Sequence, residues 1–155
     1  MIEHTMCPCA YAQIKGGGSV PGLRGTVKFY RKCGGVLVEA NICGLPEDSE
    51  TGFFAMHIHE GKDCGGRDFA NTGGHFNPGN QPHPRHAGDL PALLSCGGRA
   101  YMTVWTDRFC IKDVIGRTVV IHGGADDYHT QPAGNSGKKI GCGEICPMDG
   151  WSGRK

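Results

Sequence analysis

Residues 25–42 read GTVKFYRKCGGVLVEANI, and this stretch decides the fold class. Polar and apolar side chains alternate along residues 26–30, which is typical of a half-buried β-strand. A turn containing two glycines, at residues 33–35, separates them from a second β-type run at residues 36–42. The stretch therefore predicts a β-hairpin.

The rest of the chain also favours β-structure. Glycine and proline, with 27 and 9 of 155 residues, are poor inside helices, and no segment has a persuasive amphipathic helical pattern. Further β-type runs lie at residues 53–59, 100–105, 118–122 and 140–145, and the long polar segments 60–99 and 123–139 are predicted loops. We therefore expect one all-β domain, an antiparallel sandwich or barrel.

The charge balance excludes several classes of partner. The chain has 16 basic and 15 acidic side chains, so we expect no nucleic-acid partner and no anionic-membrane partner. No run approaches the ~20 apolar residues of a membrane helix. Glu3 stands where a signal peptide has a basic residue, and no apolar segment follows, so we expect a cytoplasmic protein.

Nine cysteines cannot all pair within one chain, and we expect one special pair at most.

The first candidate metal ligands lie on a predicted strand. His57 and His59 alternate with Ile58, so both imidazoles project from the same face of the strand. Two imidazoles at this spacing can bind one metal ion. An isolated His-x-His pair is as often an ordinary surface pair, so these residues alone leave both interpretations open.

A second cluster lies in the long segment 60–99. His75, His83, His86 and Asp89 offer three imidazoles and one carboxylate, which is a closed tetrahedral set suited to structural zinc. A zinc ion would also hold together a segment of this length that has little apolar periodicity. The sequence therefore predicts a zinc site in this loop.

His122 ends a predicted strand and is a candidate for a distant ligand of the His57/His59 site. A site made of imidazoles alone suits copper, which stands at the top of the divalent affinity order. Copper would take these three histidines and one more ligand, and zinc would take His83, His86, Asp89 and one more. His75 lies between the two sets in the sequence and is the natural bridge. Asp126 is a candidate for orienting ligand imidazoles from outside the set.

With these residues in view, the chain resembles the copper,zinc superoxide dismutase family, as a bacterial-like member. The resemblance is carried by segments that occur in the family's order, namely 57–60 (HIHE), 74–78 (GHFNP), 86–90 (HAGDL), 115–122 (IGRTVVIH), 125–127 (ADD), 134–137 (GNSG) and 142–143 (CG). It covers residues 20–146, so residues 1–19 are expected to be a weakly ordered N-terminal extension and residues 147–155 a C-terminal tail.

The resemblance implies a Greek-key β-sandwich or flattened barrel of about eight antiparallel strands with two long functional loops. It implies copper held by His57, His59, His75 and His122, and zinc held by His75, His83, His86 and Asp89. Asp126 matches an aspartate that hydrogen-bonds one ligand of each metal, here His57 and His83. Cys142 matches one half of a family disulfide, with Cys64 as its expected partner.

The chain also departs from the family pattern. The stretch from His83 to His86 is shorter than in eukaryotic members, so the zinc loop must turn more tightly. The family's active-site arginine is replaced by Lys139, which keeps the charge but loses the planar fork of donors. Arg117 matches an arginine near the cysteine loop.

The implied activity is the disproportionation of superoxide, with His75 leaving copper on reduction and carrying a proton. Superoxide is the expected substrate, Lys139 the residue expected to attract it, and a homodimer and a copper donor are candidate partners. The main alternative is a copper- or zinc-binding storage domain without turnover. A zinc hydrolase would need a general base that the sequence does not show. A copper-acquisition site could be formed by Cys7, Cys9 and His4, but the simpler interpretation is a frayed terminus with incidental thiols.

Overall fold

The computed structural model describes residues 6–153, and seven of the nine strands in this range form one antiparallel sheet. In these residues the strands are β1 (Ala10–Gly16), β2 (Arg24–Lys32), β3 (Gly35–Cys43), β4 (Phe53–Phe54), β5 (Met56–His59), β6 (Leu93–Leu94), β7 (Arg99–Thr106), β8 (Thr118–His122) and β9 (Lys139–Pro147). Seven form a curled half-barrel in the order β5-β8-β9-β1-β2-β3-β7, and β4 pairs with β6. The all-β prediction is confirmed.

The hairpin that decides the fold is the β2–β3 pair. Thr26 lies opposite Asn41 and Phe29 opposite Val38 in its antiparallel register. The alternation sends Val27, Phe29, Val38 and Ala40 into the core, where each is fully buried. The predicted strands at 100–105, 118–122 and 140–145 correspond to β7, β8 and β9.

Strand β1 (Ala10–Gly16) lies within the expected N-terminal extension 1–19, of which residues 1–5 are outside the described range. β1 lies between β2 and β9 near the middle of the main sheet. Its alternate residues Ala10, Ala12 and Ile14 are fully buried. Because alanine carries little apolar surface, the alternation of this strand is weak in the sequence. At the other end, Trp151 of the predicted tail packs against the core.

The predicted strand 53–59 is divided into β4 and β5 at Ala55. The Ala55 amide donates to the Gly124 carbonyl at 2.8 Å, and the His122 amide donates to the Ala55 carbonyl at 2.9 Å. These bonds tie the start of β5 to the second long loop. Residues 108–114, which the pattern leaves ambiguous, contain a single short helix, α1 (Ile111–Val114).

The long loop after β5 folds back along that strand, which is an edge of the main sheet. The Ile58 amide donates to the Gly88 carbonyl, and the Ile58 carbonyl accepts from the Phe76 amide, both at 2.8 Å. The loop thus satisfies backbone groups that an open edge would expose. It includes a short 3-10 helix (Arg67–Thr72). None of the helices in residues 6–153 has the length and apolar character needed to cross a bilayer.

Candidate metal centre

His57, His59, His75 and His122 form the first group of side chains that could hold a metal ion. Their ligand atoms all lie within 4.8 Å of one another, and all four residues are buried. β5 supplies His57 and His59, while Ile58 between them points into the hydrophobic core, as the alternation predicts. β8 pairs with β5 and brings His122 to the same end.

Backbone carbonyls fix the ring orientation of two of these ligands. The Gly73 carbonyl lies 2.9 Å from Nδ1 of His59, and the Gly137 carbonyl lies 3.2 Å from Nδ1 of His122. Since a carbonyl oxygen can only accept, both Nδ1 atoms carry the proton. The two Nε2 atoms, 3.3 Å apart, then both present lone pairs, an arrangement that a cation would stabilise.

His75, His83, His86 and Asp89 form the second group, with ligand atoms also within 4.8 Å of one another. Nδ1 of His75 lies 2.7 Å from one Asp89 carboxylate oxygen and 3.2 Å from Nδ1 of His86. Nδ1 of His83 lies 3.1 Å from the other carboxylate oxygen. Three imidazoles and one carboxylate around one point fit tetrahedral zinc.

His75 belongs to both groups and connects them. Its Nδ1 faces the zinc ligands, which leaves Nε2 for the copper ligands. In residues 6–153, Nε2 of His75 and Nδ1 of His57 are buried atoms without a hydrogen-bond partner. Nδ1 of His83 also makes no hydrogen bond, although an Asp89 oxygen lies 3.1 Å away, because the His83 ring donates from Nε2 to Asp126. A buried polar atom without a partner is costly, so these three nitrogens fit metal coordination.

Asp126 joins the two groups from outside. Its Oδ2 accepts from Nε2 of His57 at 2.7 Å, and its Oδ1 accepts from Nε2 of His83 at 2.9 Å. Although burial alone would raise it, these hydrogen bonds hold the pKa of Asp126 well below its usual range. The ionised carboxylate therefore leaves both Nδ1 atoms free as metal ligands, which is the role predicted for it.

Burial keeps three of the copper ligands, His57, His59 and His122, neutral. It lowers the pKa of His59 to about 2 and that of His122 to about 3. Burial also lowers the pKa of His57, against the opposing hydrogen bond to Asp126. Neutral imidazoles are the form that binds metal, so the protein environment prepares these side chains as ligands.

Lys139 lies beside the copper ligands. It begins β9 and is paired in register with His122. Its Nζ donates to Oγ1 of Thr72 at 2.8 Å and to the Gly73 carbonyl at 3.0 Å. Partial burial lowers its pKa. Its neighbour Lys138 is exposed. The sequence does not single out Thr72 and Gly73 as partners of Lys139. The available signal is the glycine pair at residues 73–74, directly before His75.

A disulfide joins Cys64 of the long loop to Cys142 of β9, as the resemblance implies. The other seven cysteines, all within the described residues, are free. His4, the third residue of the copper-acquisition alternative with Cys7 and Cys9, lies outside the described residues. Arg117 donates to the Glu60 carbonyl at 2.8 Å and lies over the Phe76 ring, so it braces the same loop.

A family model for copper/zinc superoxide dismutase (SODC) matches residues 23–145. The chain belongs to the copper/zinc superoxide dismutase family. Superoxide dismutase (Cu-Zn) 2 of Aquifex aeolicus is 38% identical over an alignment of 126 positions, which covers 72% of each chain. The solved structure of the Cu/Zn superoxide dismutase from Brucella abortus superposes with a TM-score of 0.72 at 27% identity, over 87% of this chain and 98% of that one.

The mouse copper chaperone for superoxide dismutase is 36% identical over an alignment of 155 positions, which covers 91% of this chain and 54% of the chaperone. In this member of the superoxide dismutase family, both metal sites are intact and share His75. The predicted copper and zinc ligands are thereby confirmed, and the family implies superoxide as the substrate.

Proposed function

We propose that this protein disproportionates superoxide at the four-histidine site, with Lys139 attracting the substrate. The observation that carries the proposal is His75, whose two ring nitrogens face two different, complete ligand groups. Copper bound by His57, His59, His75 and His122 would supply one-electron redox chemistry, by which one superoxide is oxidised to oxygen and another reduced to peroxide.

The side chains of this site have distinct tasks in that reaction. Nε2 of His75 is the atom proposed to hold a proton and deliver it to peroxide. The zinc ligands keep Nδ1 of the same ring in place, because Asp89 lies 2.7 Å from it. His59 and His122 keep their rings oriented through the Gly73 and Gly137 carbonyls.

Lys139 is the proposed attractor of the anion. Its ammonium is fixed beside the copper ligands by Thr72 and the Gly73 carbonyl rather than extended into solvent. A positive charge in a partly desolvated position raises the local concentration of a small anion. Lysine acts here as a point charge, since it lacks the planar fork of arginine.

Copper delivery without turnover is the second candidate, favoured by the match to the mouse copper chaperone. Metal analysis followed by a superoxide assay separates the two functions. The dismutase proposal expects turnover that rises with copper content and is abolished in His122→Gln but retained in the control His129→Gln, which changes an exposed histidine. Full copper and zinc loading without turnover would contradict it.

The partners are also proposals. A homodimer would be detected by analytical ultracentrifugation of the metal-loaded protein, and a monomer at micromolar concentration would contradict it. Loading by a copper donor would be supported if the protein acquires copper from a Cu(I)-protein in the presence of a Cu(I) chelator. Failure to acquire it under those conditions would contradict a donor.

A further inference from the structure

The segment between the zinc ligands His83 and His86 is short, and side chains from elsewhere in the fold hold its backbone. Oε1 of Gln131 accepts from the His83 amide at 2.9 Å. Nε2 of the same side chain donates to the His83 carbonyl at 2.7 Å. One amide side chain thus satisfies both backbone polar groups of a zinc ligand, as a neighbouring β-strand would.

Gln131 is itself held in a hydrogen-bonded turn of the second long loop. The Asp127 carboxylate accepts from the His129 amide at 3.0 Å and from the Thr130 amide at 2.8 Å. The Thr130 carbonyl accepts from the Gly134 amide at 2.8 Å. These bonds fix the backbone from which the Gln131 side chain reaches His83.

The ring of His83 is fixed from the same segment. Asp126 holds its Nε2 at 2.9 Å, while Gln131 holds its amide and its carbonyl. With ring and backbone both fixed, Nδ1 is directed towards the other zinc ligands, 3.1 Å from an Asp89 oxygen. The position of the ligand atom is therefore determined by three contacts from residues 126–131.

Arg108 holds the other side of the turn. Its Nη1 donates to the Pro84 carbonyl at 2.8 Å and approaches the His86 carbonyl at 3.4 Å. Arg108 lies between β7 and α1, and neither Arg108 nor Gln131 belongs to a metal-ligand group. The Gln131 and Arg108 side chains thus both contact the backbone of residues 83–86, the short segment between two zinc ligands.

We propose that Gln131, supported by Arg108, is a positioning residue that sets how tightly the protein retains zinc. A short loop has few internal contacts that can hold its ligands before the metal binds. Fixing the His83 backbone in advance lowers the entropy that zinc binding must remove. The inference rests on the zinc ligand group and does not require the proposed turnover.

The test is zinc release from the fully metal-loaded protein to a chromophoric chelator. Gln131→Leu, which removes both amide contacts at similar volume, is expected to release zinc about tenfold faster. Arg108→Ala is expected to act in the same direction. Gln131→Glu keeps an acceptor for the His83 amide but places a carboxylate against its carbonyl, and it is also expected to lose zinc faster.

The matched control is Gln13→Leu, since Gln13 also donates to a backbone carbonyl but lies on β1, away from the zinc ligands. Cobalt(II) in the zinc site gives a second readout, because its visible absorption reports ligand geometry. We expect altered spectra in both Gln131 variants and an unchanged spectrum in the control. Wild-type zinc release and wild-type spectra in Gln131→Glu and Gln131→Leu would overturn the proposal, as would equally fast release from the control.

Discussion

Lys139 donates a hydrogen bond from Nζ to the carbonyl oxygen of Gly73, at 3.0 Å. The same oxygen accepts from Nδ1 of His59 at 2.9 Å. A single carbonyl group therefore separates the ammonium from a copper ligand. Lys139 thus both anchors the loop that precedes His75 and places positive charge beside the copper ligands.

Replacing Lys139 tests its electrostatic role. Lys139→Gln should slow dismutation by about tenfold at low ionic strength while both metals stay bound, because the attracting charge is lost. Lys139→Arg should be close to wild type. The measurement is the rate as a function of salt, since a charge effect is screened over roughly 10 Å at 0.1 M.

Lys138→Gln is the matched control. It also removes one positive charge, but from the exposed side chain of the neighbouring residue. It should cost less activity than Lys139→Gln. If wild type and Lys139→Gln lose rate equally as salt is added, the attraction of superoxide resides elsewhere, and Lys139 would keep only its contacts to Thr72 and Gly73.

Asp89→Ala should release zinc and loosen the long loop. Asp89 contacts His75 at 2.7 Å and accepts from the His86 amide at 3.0 Å, so its removal takes away a metal ligand and a loop contact. We expect low zinc content and new protease cleavage in the stretch from Asn77 to His86. Cleavage should spare residues near Cys64, which the disulfide holds to β9.

The control for Asp89→Ala is Asp68→Ala, which removes an exposed aspartate of the same loop. It should leave zinc content and proteolysis unchanged. Equal resistance of the zinc-free and zinc-loaded wild-type protein to cleavage in this loop would show that zinc does not hold it.

The sequence predicts features of this molecule that depend on local spacing. The alternation in residues 25–42 predicts the β2–β3 hairpin, and the spacing of His57 and His59 places both rings on one face of β5. Local pattern suffices in these cases because side-chain direction along a strand has a period of two. The zinc ligands are recognisable for a different reason, since a polar loop of this length needs something to hold it.

Features that depend on distant contacts could not be predicted in this way. The contact of Gln131 with His83 spans 48 residues, and that of Lys139 with Gly73 spans 66. The break at Ala55 depends on hydrogen bonds to Gly124 and His122. The sequence does not predict β1, because two of its core residues are alanines and its alternation is weak. β1 is held instead by pairing with β2 and β9 on its two sides.

The disulfide should contribute strongly to stability. Cys64 and Cys142 are separated by 78 residues, and closing a loop of this length in the unfolded chain corresponds to about 4 kcal/mol. We expect Cys142→Ser to lower the free energy of unfolding by up to this amount in denaturant titrations. Cys146→Ser, which changes an exposed free cysteine on the same strand, should have little effect. Mass mapping that finds a dominant bridge between other cysteines would contradict the assignment.

The metal-free protein should lose stability as the pH falls below about 6.5, the ordinary pKa of histidine. Burial lowers the pKa of His59 to about 2 and that of His122 to about 3 in the folded protein. Between these values and 6.5 the unfolded chain binds more protons than the folded one, so protonation favours unfolding. Above pH 6.5 both states are neutral at these residues and the effect vanishes. Thermal unfolding of the metal-free protein should therefore show a melting temperature that falls steadily from pH 6.5 to pH 4.5.

His122→Gln, which removes one such group, should have a shallower pH dependence, whereas His129→Gln, an exposed control, should follow the wild type. Identical slopes for wild type and His122→Gln would show that His122 does not titrate with a lowered pKa.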